Sequence, residues 1–203
     1  MLREVCIIIS NVKTGEDYQA KSYPDPDIDN DGIGELYKTP VYYVYIDGTS
    51  RLGNRERKTW RAVRFMPYWN DPAAPSTNYR YRGFANSGLH EVKKKVVTSY
   101  NKYYGVRNTY SPYGGAIQIR NSFLIHAGPR NLRERGWGAA GCVEIIGNFN
   151  DFKKDIHIFS GSTAINSDDA ILELVEKGML FVQVDKATPP NFIGNVINTY
   201  LLR

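Results

Sequence analysis

The run Val41-Tyr42-Tyr43-Val44-Tyr45-Ile46, followed by Asp47-Gly48, leaves the chain little choice but to build sheet. β-Branched and aromatic side chains lose rotamer freedom against a helical turn but pack well on a pleated surface, and Asp-Gly is a turn dipeptide. Fifteen tyrosines and eighteen glycines in 203 residues extend the same strand-and-turn bias over the whole chain. Further strands are expected at Cys6 to Ile9, Trp60 to Met66, Ala116 to Ile125, Val143 to Ile146, Asp155 to Phe159 and Met179 to Val184, with a loop over Tyr68 to Gly83.

Two segments read as helices. From Gly88 to Tyr104, Leu89, Val92, Val96, Tyr100 and Tyr103 fall on one face, with Ser87 as N-cap and Gly105 just past the end. Lys93, Lys94 and Lys95 then occupy the opposite, solvated face. Asp168 and Asp169 open a second helix that runs through Lys177 to Gly178, with acids at the end the macrodipole favours. The expected fold class is mainly β (α+β), with two or three helices at the periphery. The length suits one domain, 1–203, in which strands, an acidic loop and a helix (1–115) precede a segment holding a cysteine and a histidine (116–185).

Cys6 and Cys142 are too few for a disulfide framework, and their spacing matches no zinc site. MLREVCIIIS holds too short an apolar run for a secretory leader or a membrane span. The net charge of +5 favours anionic partners. Bases gather at Arg51 to Arg64, Lys93 to Lys95 and Arg130 to Arg135, and acids from Glu16 to Glu35. No base-stacking motif accompanies the basic clusters, so nucleic acid is not the expected partner. Within the acidic stretch, Asp27, Asp29 and Asp31 recur at every second residue before Gly32, as in the opening of a calcium loop. The twelfth position is Lys38, so the loop does not close as an EF-hand; Glu35 at the ninth closes a shorter one. Structural calcium and a solvated acidic turn are both open readings.

The chemistry points to His126 and Cys142, sixteen residues apart, each where an apolar run meets glycines. A cysteine nucleophile needs a base beside it, and a histidine brought alongside by the fold supplies one. Gly138, Ala139, Ala140 and Gly141 keep the backbone before Cys142 accessible, which makes the Gly141 and Cys142 amides candidates for an oxyanion hole. His90 and His157 fall inside regular elements and are the weaker bases.

Ile125-His126-Ala127-Gly128 and Ala140-Gly141-Cys142-Val143 together resemble the catalytic segment of the L,D-transpeptidase family, and Asp169 to Gly178 before Leu180 to Val184 resembles its closing helix, glycine and strand. The resemblance covers roughly residues 116 to 185. It implies a β-sandwich catalytic domain with Cys142 as nucleophile, His126 as base, the Ala127 carbonyl orienting the imidazole, and peptidoglycan peptide stems as substrate. Gly128, Arg130, Trp137 and Glu144 would lie at the substrate. The family's serine before Gly-Cys is alanine here, at Ala139 or Ala140, and Glu144 stands where Arg or Asn is common; a glutamate there would repel a carboxylated substrate. The 24 residues from Ile145 to Asp168 exceed what the resemblance leads one to expect, which marks a divergent member.

The leading expectation is therefore acyl transfer or peptide hydrolysis on the cell wall, with no cofactor needed for catalysis. Without a leader, such an enzyme would act in the periplasm or wall only after delivery by a contractile secretion machine or a phage, as an antibacterial effector with an immunity partner does; otherwise it is cytoplasmic. The rival is a non-catalytic, basic, β-rich binding module for an anionic polymer, calcium-stabilised or not, with Cys142 buried and inert.

Overall fold

The computed structural model describes residues 1–23, 26–27, 29–50, 52–67, 92–105, 112–120, 123–139, 141–192 and 196–202. The loop expected at 68–83, together with Ser87, His90 and Ala140, lies outside them. The described chain is mainly β, with a mixed ten-stranded sheet and two helices. The strands are β1 (Val5–Lys21), β2 (Ile33–Thr49), β3 (Arg55–Val63), β4 (Val92–Val97), β5 (Ser99–Gly105), β6 (Gly114–Arg120), β7 (Phe123–Ala127), β8 (Val143–Ile145), β9 (Leu180–Val184) and β10 (Val196–Leu201); the helices are α1 (Phe149–Ser160) and α2 (Ser167–Glu176). The spatial order is β4-β9-β1-β2-β3-β8-β7-β6-β5, with β10 paired to the start of β2.

Most neighbours are antiparallel; β1 with β9 and β7 with β8 are parallel. Val5, Ile7 and Ile9 of β1, Val44 and Ile46 of β2, Ile125 of β7 and Val143 and Ile145 of β8 point to one face. There they meet Phe149, Phe152, Ile156 and Phe159 of α1 and Ile171 and Leu174 of α2, all fully or almost fully buried. Trp60 ties β3 to α1, donating from Nε1 to Asp155 Oδ2 at 3.0 Å and packing edge-on against Phe152. The opposite face carries a smaller cluster, Tyr18, Ala20, Val41, Val63, Ala139 and Ile146, with Leu132 packed on it.

Several expectations are corrected. The helix expected over Gly88 to Tyr104 is not found in the described part of that stretch: 92–97 and 99–105 are strands β4 and β5, paired to β9 and β6. Its β-branched and tyrosine content outweighs a helical spacing that strand alternation can also fill. Asp155 to Phe159 lies inside α1, whose N-cap Asn148 accepts from Asn150 N and whose C-cap Gly161 adopts a φ of 65°. Ala116 to Ile125 is two antiparallel strands. Asp47-Gly48 is no turn, because β2 continues through it and the chain reverses at Ser50–Asn54. Asp47 forks onto Arg57 across the strands, and Gly48 leaves the space that Phe159 of α1 occupies. The helix at Asp168 and the strand at Leu180–Val184 match the expectation.

Candidate active site

The site lies on the sheet face away from the helices. Registers carry one row of side chains across five strands: Val41 pairs with Val63, Val63 with Glu144, Glu144 with His126 and His126 with Ala116. Strand parity fixes the rest. Ile125, Ala127, Val143 and Ile145 must face the core, where all are at most 1% exposed, so His126 and Glu144 face the other way. Cys142 precedes β8 by one residue and shares the parity of Glu144. Its hydrogen bond with the Leu124 backbone sets it beside β7, the strand that carries His126.

His126 is buried, and its Nδ1 lies 2.8 Å from the Ala127 carbonyl oxygen. As a carbonyl only accepts, Nδ1 carries the proton and the neutral imidazole keeps an acceptor at Nε2, which has no hydrogen-bond partner among the described residues. Tyr104 packs on the ring, with centroids 5.5 Å apart. Burial lowers the imidazole pKa below its ordinary value, against the Ala127 carbonyl that favours the proton. Cys142 is partly exposed, and burial pushes its thiol up, opposed by a backbone hydrogen bond from Leu124 and reinforced by Glu144. The resting pair is a neutral thiol and a neutral imidazole. Desolvation also pushes Glu144 up to about 8, so at neutral pH this carboxyl is mostly protonated.

The segment 128–139 crosses the face and is tied down at several points. Gly128 N donates to Ile145 O, Lys21 N to Gly136 O and Ala139 N to Phe65 O. Gly128 is required by close approach, because a Cβ would sit 2.7 Å from Glu144 Cβ and 2.9 Å from the Ile145 oxygen. Gly138 and Gly141 adopt φ of 75° and 93°, backbone that favours glycine. Beneath the segment a cavity of about 40 Å³ is lined by Tyr18, Gly128, Pro129, Gly136, Trp137, Gly138 and Glu144. Three of the four expected substrate residues, Gly128, Trp137 and Glu144, meet there. Arg130 does not join them; it turns back to Glu134 with Nε 2.7 Å from Oε1.

Tyr104 and Tyr18 escaped the sequence reading. Tyr104 was hidden by the helical interpretation of its segment, and a strand reading there would have placed a tyrosine near the histidine strand. In the basic cluster at Arg51 to Arg64, Arg55 and Lys58 are exposed, and other members are engaged by neighbours. Arg57 pairs with Asp47 and Arg61 with Glu16, while Arg64 is buried, donating to the Ser10 and Asp185 carbonyls.

In the acidic loop the carboxylates of Asp27, Asp29, Asp31 and Glu35 offer oxygens within 4.8 Å of one another. Asp27 accepts from the Asp31 and Gly32 amides and Asp31 from that of Ile33, while Gly32 takes a φ of 85°. Hard oxygen donors in this number suit calcium better than a softer metal.

Comparison with protein-family models, with curated proteins and with solved structures finds no match to the chain. Among the described residues no helix is long and apolar enough to cross a membrane.

Proposed function

We propose that this chain is a cysteine-dependent acyl-transfer enzyme acting on peptidoglycan peptide stems, of L,D-transpeptidase or L,D-carboxypeptidase/endopeptidase type. In this reading the site-bearing strands form a sandwich-like catalytic domain of that family. The observation that carries it is the parallel pairing of β7 with β8, which brings the start of β8, just after Cys142, alongside the strand of His126, while the Ala127 carbonyl fixes the imidazole tautomer. The partial exposure of Cys142 also favours chemistry over an inert packing role.

The steps follow from the two neutral groups. As Cys142 Sγ bonds to the substrate carbonyl carbon, its proton passes to His126 Nε2, and the Gly141 and Cys142 amides receive the developing oxyanion. Collapse expels the leaving amine, which takes the proton from His126, and leaves a thioester on Cys142. An amine or water then attacks the thioester, giving a cross-link or a trimmed stem. In this reading the place of action is the periplasm or cell wall, where a basic chain meets anionic wall polymers.

Incubation of wild type and Cys142→Ala with muropeptides and with a carbapenem, read by product analysis and intact mass, tests this. Wild type should form products and a single adduct at Cys142, the variant neither, and His126→Ala should lose on the order of 10²–10⁴-fold in turnover with the fold retained. Absence of both product and adduct in folded, calcium-treated wild type would overturn the enzyme reading in favour of a binding module.

A further inference from the structure

We propose that the cavity beside Glu144 is a subsite for an ammonium group of the peptide substrate, with Glu144 as the residue that selects it. Calling the ligand a substrate rests on the acyl-transfer reading; the binding of an ammonium group does not.

The cavity has the room, the walls and the charge for such a group. Its volume of about 40 Å³ exceeds the roughly 10–15 Å³ that a single water needs on the same measure, so a small group fits. Tyr18 and Trp137 contribute aromatic rings, and four of the other lining residues are Gly128, Pro129, Gly136 and Gly138, which bring no charge. Among the described residues no basic side chain lines it. Glu144 is the one lining carboxyl, and it makes no hydrogen bond or ion pair among the described residues. The side chain is half-buried, and an ammonium group supplies charge and donors together while the aromatic rings favour a cation. A carboxylate ligand would meet an acid and no counter-charge.

The position suits recognition next to the reacting bond. Glu144 is two residues beyond Cys142 on the same face and directly across from His126. It is a specificity residue, since nothing in the geometry brings its carboxyl to the thiol's reaction.

The groups facing Glu144 leave its titration as the main charge change there. His126 on β7 is held neutral by burial, Cys142 beside it and Tyr104 on β5 have raised pKa values, and Tyr18 presents a phenol from β1. In the overlying segment Arg130 is engaged by Glu134, and Arg133 and Arg135 are exposed. With its carboxyl pushed up to about 8, the empty site is mostly protonated at pH 7, whereas an ammonium ligand needs the carboxylate. Binding therefore releases a proton, and affinity rises about tenfold per pH unit up to about pH 8 and then levels.

The probe is methylammonium chloride, titrated into wild type, Cys142→Ala and Glu144→Gln and followed by amide NMR shifts around 128–139 and 144, with acetate at matched ionic strength as control. Wild type and Cys142→Ala should show a saturable shift whose Kd falls about tenfold from pH 6 to pH 7, and a folded Glu144→Gln should lose at least tenfold in affinity together with the pH dependence. Equal affinity in Glu144→Gln, acetate binding in place of methylammonium, or no saturation at pH 8 would overturn the proposal. Because Cys142→Ala retains the subsite, binding without a carbapenem adduct in wild type would refute the acyl-transfer reading alone; an adduct without methylammonium binding would refute the subsite alone.

Discussion

Glu144 illustrates how one side chain trades stability for a site. Its carboxyl is kept mostly protonated, at about 8, by desolvation alone, so the folded protein binds a proton there that the unfolded chain releases near its ordinary 4.5. A raised folded pKa contributes stability fully below pH 4.5 and loses it as pH climbs towards 8, at about 1.4 kcal/mol per pH unit. Glu144→Gln, which keeps the shape and cannot ionise, should therefore be more stable than wild type at pH 8 by on the order of 4 kcal/mol and nearly equal at pH 4.5, as denaturant titrations across that range would record. His126 works in the opposite sense. Burial lowers its pKa, so the base stays competent to below pH 6.5, and the acid limb of kcat/KM on a muropeptide should fall below that value. An acid limb above 6.5 would mean that another group is the base.

Among the elements, the closeness of β7 and β8 matters most, because it sets the distance between base and nucleophile. Gly128 lets the chain leave β7 while pressed on β8, and a methyl group there would strike the Glu144 Cβ and the Ile145 carbonyl. Gly128→Ala should cost about 1–3 kcal/mol in urea unfolding, as overpacking does, and lower turnover at least tenfold by moving His126 from Cys142. Unchanged turnover would show that the strand spacing is not limiting. Sequence periodicity served these elements unevenly. Val41 to Ile46 and Leu180 to Val184 were legible because their residues suit only a strand. The segment around Val92 to Tyr104 was not, since apolar residues three and four apart fit a helix as well as alternating strands, and only pairing with β9 and β6 decides. The α1 segment failed in reverse: Ile156, His157 and Ile158 alternate locally, while the cap at Asn148 and the buried Phe149, Phe152, Ile156 and Phe159 declare a helix over a longer window.

At the scale of the whole molecule, the acidic loop joins the start of β2 to the rest of the sheet, and the buried Glu35 lies on that strand. Four carboxylates within 4.8 Å of one another repel, and the proposed structural calcium would relieve that repulsion in the folded state alone. Calcium at about a hundred times its Kd should then raise Tm by about 5–10 °C over the EDTA-treated protein, and Asp29→Asn with Asp31→Asn should remove the effect. An unchanged Tm in scanning calorimetry would leave the loop a solvated acidic turn. By itself the sequence determined that the chain would be mainly β and that Asp168 would open a helix, and it singled out His126 and Cys142 as candidates, because rotamer restriction, capping and side-chain reactivity are local properties of residues. Only the tertiary structure decided that β7 and β8 run side by side in parallel, that Glu144 pairs across from His126 and lines a small cavity, and that Tyr104 reaches the histidine. Those facts depend on strand register between segments far apart in the chain, and a one-residue slip in β8 would have sent Cys142 and Glu144 into the core instead.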